Sequence, residues 1–395
     1  MSGVYLHEPG LVCALGRGVD AVAAALFADA APGGVCMTDG VVPGRPLALG
    51  AVAGALPLPA DTPRAHRSRN NALLEAALGA LRPSVDAVIA RHGAHRVAIV
   101  LGTSTSGVGE AEAARRARES SGMWPESFEY AQQEMGSPAA YVAWRLGTRG
   151  PAQVISTACS SSAKALATAA RLLAAGLADA VVAGGADSLC RFTIEGFGAL
   201  GSVDPARCRP FSATRSGINI GEGAALFLVS RDPSPVRLAG WGESADAHHM
   251  SGPQPSGEGA ERAIRAALAR AGRRADEIDY VNLHGTATPQ NDAMESAVVA
   301  RVFGTATPAS STKPLTGHAL GAAGAIEAAL CWLAIARNPG NRLPPHWWDG
   351  ATDAALAPIR LARPGEIAPA PLRRVLSQSF AFGGSNAALV LEAAP

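Results

Sequence analysis

Short apolar runs that stop at glycine or small polar residues recur along the chain. Val97-Ala98-Ile99-Val100-Leu101 stops at Gly102-Thr103-Ser104-Thr105-Ser106-Gly107, and Gln153-Val154-Ile155-Ser156 stops at Thr157-Ala158-Cys159. Each has the length and the ending of a buried strand that feeds a loop. Residues 160–177 are Ala-rich, with Leu166, Ala170, Leu173 and Leu177 at helical spacing, and 180–185 is again an unbroken apolar run. Strand, helix, strand at this spacing predicts a βαβ unit and a parallel or mixed sheet.

The second half repeats the plan. An amphipathic helix is predicted over 261–271, a strand over 278–283 that ends at His284, and an Ala/Gly-rich helix over 322–336 ahead of Asn338-Pro339-Gly340. Closing strands over 374–377 and 387–391 flank Phe382-Gly383-Gly384. Arg231-Asp232-Pro233-Ser234-Pro235, with two prolines in five residues, divides the chain into an N-terminal half, 1–235, and a C-terminal half, 236–395. The halves share strand–loop–helix logic without a residue-level repeat, and a duplicated α/β fold is expected.

Composition narrows the function classes. Of 395 residues, 48% are hydrophobic and 17% charged, so the chain is not disordered. A formal charge of +1 excludes a dominant basic field, and nucleic acid is not an expected partner. The low charge fits a chain that buries much of its surface, in an oligomer as well as in its core. No apolar run reaches the roughly 18 residues of a membrane helix. The stretch Met1–Pro9 lacks the charged start of a signal peptide. Six scattered cysteines without a CxxC argue against a disulfide framework and a zinc ribbon. A cytoplasmic location is expected.

Three reactive groups stand at predicted strand ends, where ligands gather in open α/β sheets. Cys159 lies between a strand and a helix, where the helix dipole favours thiolate and small neighbours leave room for a substrate. Read alone, it is more often a packed small side chain. His284 in His-Gly-Thr-Ala-Thr-Pro and His318 in Lys-Pro-Leu-Thr-Gly-His are each, read alone, structural histidines. Together with a cysteine they are the usual parts of an activated sulfur nucleophile, with a second imidazole free to stabilise an enolate or oxyanion.

In order and over nearly the whole chain, four motifs resemble those of the β-ketoacyl-acyl-carrier-protein synthases, the elongating condensing enzymes of the thiolase fold. They are Ser156-Thr157-Ala158-Cys159-Ser160-Ser161-Ser162-Ala163, Asn282-Leu283-His284-Gly285-Thr286-Ala287-Thr288-Pro289, the stretch 313–321, and Phe380-Ala381-Phe382-Gly383-Gly384-Ser385-Asn386. Cys159 and His284 lie 125 residues apart, and the two histidines 34. The resemblance implies two related βαβ-rich halves in five α-β-α-β-α layers, usually dimeric. It implies that Cys159 accepts an acyl group from a carrier-protein phosphopantetheine thioester. His284 and His318 would promote decarboxylation of a malonyl thioester, with Lys313 in electrostatic support and Glu327 as its partner. The N–H groups of Cys159 and Phe382 would form the oxyanion hole. Thr286 and Thr288 would hold the pantetheine arm, and Phe382 beside Gly383 would gate the acyl pocket. No bound cofactor or metal is implied. The partners would be the acyl carrier protein and a second subunit, identical or related.

Some positions depart from the family. Lys164 stands where His is common, and Ser212 and Ser216 where Asp is common. Ala381 stands where Gly separates the aromatics and would restrict a left-handed conformation. Thr105, on the pocket-approach loop, replaces a bulky aliphatic. Lys164 and the altered gate resemble ketosynthases of polyene pathways, aryl polyene pigments included. The expected reaction belongs to fatty acid, polyketide or polyene synthesis.

Three rival readings fit the sequence less well. A non-catalytic chain-length-type subunit usually loses the nucleophile, which this chain keeps. A biosynthetic thiolase needs a second cysteine near the C-terminus, and none follows Cys331. A cysteine hydrolase has no use for this arrangement of two histidines and a lysine. His248-His249 lacks further ligands at metal spacing and reads as surface or interface. Asp292 and Glu295 read as helix N-terminal charge, near where the family sometimes holds a structural ion. The Gly/Ser-rich stretch 102–109 matches no dinucleotide fingerprint. Arg64, Arg67 and Arg69, with His66, read as a solvated face or as a dock for an acidic carrier protein.

Overall fold

The computed structural model describes residues 3–29 and 33–395, so Met1 and Ser2 of the N-terminal stretch lie outside the described residues. In the first half, strands β1 (Tyr5–Leu6) and β2 (Gly10–Cys13) precede the long helix α1 (Arg69–His92) and strand β3 (Val97–Gly102). Then come β4 (Ala152–Ile155), α2 (Ser161–Ala174), β5 (Ala180–Asp187) and β6 (Gly223–Ser230). The second half runs β7 (Val236–Ala245), α3 (Glu258–Ala271), β8 (Tyr280–Asn282), α4 (Pro289–Phe303) and β9 (Pro308–Ser310). It closes with α5 (Ala323–Ala336), β10 (Arg360–Leu361), β11 (Arg374–Ala381) and β12 (Ser385–Ala393).

The sheet order is β10-β9-β8-β11-β12-β7-β1-β6-β5-β3-β4, with β2 beside β6. In the first half three strands run parallel and the next is antiparallel, β4-β3-β5 with β6; in the second half four run parallel before the antiparallel one, β10-β9-β8-β11 with β12. Among them β3 and β5 carry the uninterrupted apolar runs of the sequence and are buried at every position, as expected where both faces are covered, whereas Ala152 and Gln153 of the edge strand β4 are exposed. α1 packs on one face of the first set, and α3 lies against β7 and β12 of the second. α2 and α5 pack against each other between the two sets, which gives the expected thiolase-like α/β arrangement.

The duplication has a chemical consequence. Cys159 follows the second parallel strand of its half and stands at the start of α2. His318 follows the second parallel strand of the other half, β9, ahead of α5. Nucleophile and imidazole thus occupy equivalent places and meet where the central helices begin. α5 is buried at every position from Ala323 to Ala334, as its all-round apolar sequence requires. The close pass between the central helices depends on Gly324. A Cβ there would lie 2.9 Å from the Ala163 Cβ.

Arg231-Asp232-Pro233-Ser234-Pro235 is a turn between β6 and β7, not a linker between separate cores. β1 bonds to both of those strands. One hydrophobic cluster takes in Leu166 and Phe227 from the first half and Trp332 and Leu389 from the second. Among the described residues no helix is long and apolar enough to cross a membrane.

Candidate active site

Cys159 sits on a strained turn: Ala158, immediately before it, has φ +50°. Non-glycine residues hold such a conformation when their surroundings over-determine it. Here the Ser161 Oγ does so, donating to the Ala158 carbonyl at 2.6 Å and accepting from the Thr157 N–H at 2.9 Å. The turn aims the sulfur at His318, whose Nε2 lies 3.0 Å from Sγ. The His284 ring meets the His318 ring edge-on at 5.4 Å. The three reactive heteroatoms lie within 4.8 Å of one another, all buried.

Burial governs the charge states. It pushes the Cys159 thiol up to about 11, against the pull of Lys313 and of the backbone N–H groups of Phe382 and Cys159. The thiolate expected from the helix dipole is therefore not the resting form. Burial, with Lys313 nearby, holds both imidazoles well below the usual histidine range, so both are neutral. Lys313 Nζ donates to the His284 carbonyl and to Glu327, and lies 3.5 Å from His284 Nδ1. An ammonium only donates, so His284 Nδ1 accepts and its proton sits on Nε2. His318 Nδ1 is buried with no hydrogen-bond partner among the described residues. A buried orphan N–H costs about 1–3 kcal/mol, which also places the His318 proton on Nε2, facing the sulfur.

A cleft opens on this cluster, lined among others by Thr286, Thr288, Phe380, Phe382 and Asp246. The Thr286 and Thr288 hydroxyls lie 3.0 Å apart. Phe382 packs against Phe197, ring to ring, at 5.3 Å. Ala381 is extended (φ −107°) and carries no strain, while Gly383 and Gly384 take the left-handed conformations. The alanine departure therefore does not restrict the loop in the way the sequence implied.

The structure departs from two further expectations. Thr105 does not line the cleft. It is 1% exposed, and its Oγ1 and N–H both donate to the buried Asp187. Arg69 is not available for docking, because its guanidinium is bound by both oxygens of the buried Glu222. Arg64 and Arg67 remain at the surface, Arg64 paired with Glu129. The missing acidic residues at 212 and 216 are replaced from elsewhere: Ser212 donates to Asp349 and Ser216 to Asp204. His248 and His249 are exposed, as the sequence implied.

Asp292 and Glu295 are more than helix-terminal charge, since both are fully buried. Glu295 accepts from the N–H groups of His284 at 2.6 Å and Gly285 at 2.7 Å, and from the Gln378 amide at 2.7 Å. It fixes the histidine loop. Glu295→Gln turns an amide donor toward one of those N–H groups. The expected result is a loss of about 1–3 kcal/mol in urea unfolding, together with a lower kcat. Asp187 is the other residue the sequence reading missed. It takes donors from Thr103, Ser104 and Thr105 and from the Ala322 N–H, tying the loop after β3 to the start of α5.

The geometry agrees with what the chain is similar to. "Nodulation protein E" of Rhizobium meliloti is 35% identical over 79% of this chain and 82% of that protein. "3-oxoacyl-[acyl-carrier-protein] synthase 2" of Rhizobium meliloti (strain 1021) is 40% identical over 64% of this chain and 63% of that protein. A solved ketosynthase in complex with its chain length factor, from Xenorhabdus doucetiae, superposes with a TM-score of 0.92. It is 45% identical and covers 100% of this chain and 98% of its own. The family description "Beta-ketoacyl synthase, N-terminal domain" matches residues 69–234, and "Beta-ketoacyl synthase, C-terminal domain" matches 236–345. Matched in order by both halves of that description, the chain belongs to the β-ketoacyl synthase family of condensing acyltransferases.

Proposed function

We propose that this chain condenses an acyl group held on Cys159 with a malonyl group carried by an acyl carrier protein, giving a β-ketoacyl thioester and CO₂. The Sγ–Nε2 contact of 3.0 Å, with the second imidazole against it, carries the reading. In the first step the Cys159 sulfur attacks the acyl thioester carbonyl, and its proton leaves on the departing pantetheine thiol. In the second the malonyl C–CO₂⁻ bond breaks, and its electron pair passes into an enolate. The Nε2–H groups of His284 and His318 stabilise that enolate where its charge develops. CO₂ loss supplies the carbanion, so no strong base is needed. The enolate carbon attacks the acyl-Cys159 carbonyl, whose oxyanion is held by the N–H groups of Cys159 and Phe382. Collapse of that adduct expels the sulfur.

Phosphopantetheine enters as part of the substrate, with no resident cofactor, its arm along Thr286 and Thr288 and past Phe382 and Gly383. Arg64 and Arg67 are the proposed docking cations for the carrier. The proposed pathway is polyketide or polyene synthesis, on the departures at Lys164 and the gate. The test is intact-mass measurement after incubation with a panel of acyl-carrier thioesters. One acyl mass retained per chain, mapped to Cys159, is expected. No adduct from any member of the panel would overturn the assignment of Cys159 as acceptor.

The solved relative is a two-chain complex of ketosynthase and chain length factor. That favours a related partner subunit for this chain too, and it makes the non-catalytic partner the second reading. Full activity residing in a partner while iodoacetamide leaves Cys159 unlabelled would select it.

A further inference from the structure

The Phe382 loop, between β11 and β12, carries both a donor to the sulfur and the ring that closes the cleft. Most of its ties run away from the nucleophile. Gly383 N–H donates to the Met250 carbonyl at 2.8 Å, Asp246 N–H to the Gly384 carbonyl at 2.8 Å, and the Asn386 amide to Asp246 at 2.7 Å. Toward the nucleophile's helix the side-chain tie is Ser385. Its Oγ receives Lys164 Nζ at 2.5 Å and lies 3.1 Å from Ser160 Oγ. Ser160 in turn donates to the Thr157 carbonyl at 2.9 Å, two residues before Cys159. Lys164 also stands on α2, one turn after Ser160, and its N–H donates to the Ser160 carbonyl at 3.0 Å. Its ammonium and the nucleophile thus share one rigid element.

We propose that Lys164 is a positioning residue that latches the Phe382 loop to the nucleophile's helix through Ser385, holding the Phe382 N–H on the Cys159 sulfur. Lys164 does not line the cleft that opens on the sulfur. It acts through the loop, whose two left-handed glycines let it swing when released. An ammonium donor makes the latch stronger than a neutral hydrogen bond. Half-burial of Lys164 strengthens it further, because the ammonium there has less water to turn to. The arm of the proposal that concerns rate rests on the condensing reading; the arm that concerns loop opening does not.

The test is amide hydrogen exchange on the full chain, wild type against Lys164→Met, Ser385→Ala and the double variant. A hydrogen bond to a charged group corresponds to about tenfold or more in an opening equilibrium. Exchange over residues 381–385 is expected to rise about tenfold in either single variant. The double is expected to exchange no faster than Ser385→Ala alone, because that change already removes the Lys164 bond along with the Ser160 contact. Exchange in α2 should stay at the wild-type level. Lys164→Arg, which keeps charge and donors, should recover part of the protection. In condensation assays the single variants should lose about tenfold in kcat with little change in KM.

Loop exchange within twofold of wild type in both singles overturns the latch. So does faster exchange in α2, or losses that multiply in the double. If Lys164→Met fails to fold, Ser385→Ala carries the same comparison. If wild type does not condense at all, the condensing reading fails while the exchange data still decide the latch.

Discussion

Cys159→Ala is expected to lose the acyl adduct and to condense at least about 10⁴-fold more slowly than wild type. The size of the effect follows from the absence of a substitute nucleophile. Three serines follow Cys159, and each hydroxyl is already committed. Ser160 Oγ is held by the Thr157 carbonyl and by Ser385, Ser161 Oγ bridges Thr157 and Ala158, and Ser162 Oγ accepts from the Ala325 N–H at 2.8 Å. None faces the cleft. Removing one sulfur from a buried site leaves a small cavity, so unfolding free energy should fall by no more than about 1.5 kcal/mol. His284 and His318 are untouched, so release of CO₂ from a malonyl thioester should persist. Rapid-quench condensation assays, intact mass and CO₂ release on one preparation separate these outcomes. A Cys159→Ala protein that condenses above a hundredth of the wild-type rate would remove the covalent step.

What could be read from the sequence divides along a physical line. The parallel strands Val97–Gly102 and Ala180–Asp187 were legible because burial on both faces leaves an unbroken apolar run bounded by glycine or small residues. Cys159, His284 and His318 were legible because each sits in a contiguous motif. The groups that hold them in place were not, because their partners are distant in sequence. Asp187 reaches back 84 residues to Thr103, and Glu222 reaches back 153 to Arg69. A lone carboxylate in a sequence carries no mark of the donors it will meet. Thr105 misled for the same reason, its hydroxyl being taken up by Asp187. The strained residues Ala158 and Ala287, φ +50° and +66°, gave no signal either, since a left-handed turn is sought at glycine. α4 was legible only at its start, where Asp292 reads as first-turn charge. Nothing local reveals that Asp292 and Glu295 point inward and hold the loops of Phe211, Ala287 and His284.

Lys313→Met is expected to damage stability and rate together, with a pH dependence that identifies the cause. Lys313 is 1% exposed and Glu327 2%, and their contact is an ion pair inside the core. Methionine fills a similar volume but leaves Glu327 buried without a cation, a defect of about 3–5 kcal/mol. It also removes the donor that keeps the His284 proton on Nε2. With that donor gone, kcat should fall by about 10²–10³, the range seen for the loss of one oriented donor.

The sign of the pH effect follows from Glu327. Burial already raises its carboxyl from an ordinary 4.5 to about 7 with the lysine present. A group raised on folding favours the folded state below its unfolded value and loses that contribution as pH rises through its folded value. Without Lys313 the folded value climbs further, so the variant's deficit should be smallest near pH 5 and should widen through pH 8. Urea unfolding at both pH values measures it. Adding Glu327→Gln removes the stranded charge. The double variant should recover most of the stability, flatten the pH dependence and remain as slow as Lys313→Met. A deficit that does not change with pH, or a double variant less stable than Lys313→Met, would mean that the buried pair is not what the lysine sustains.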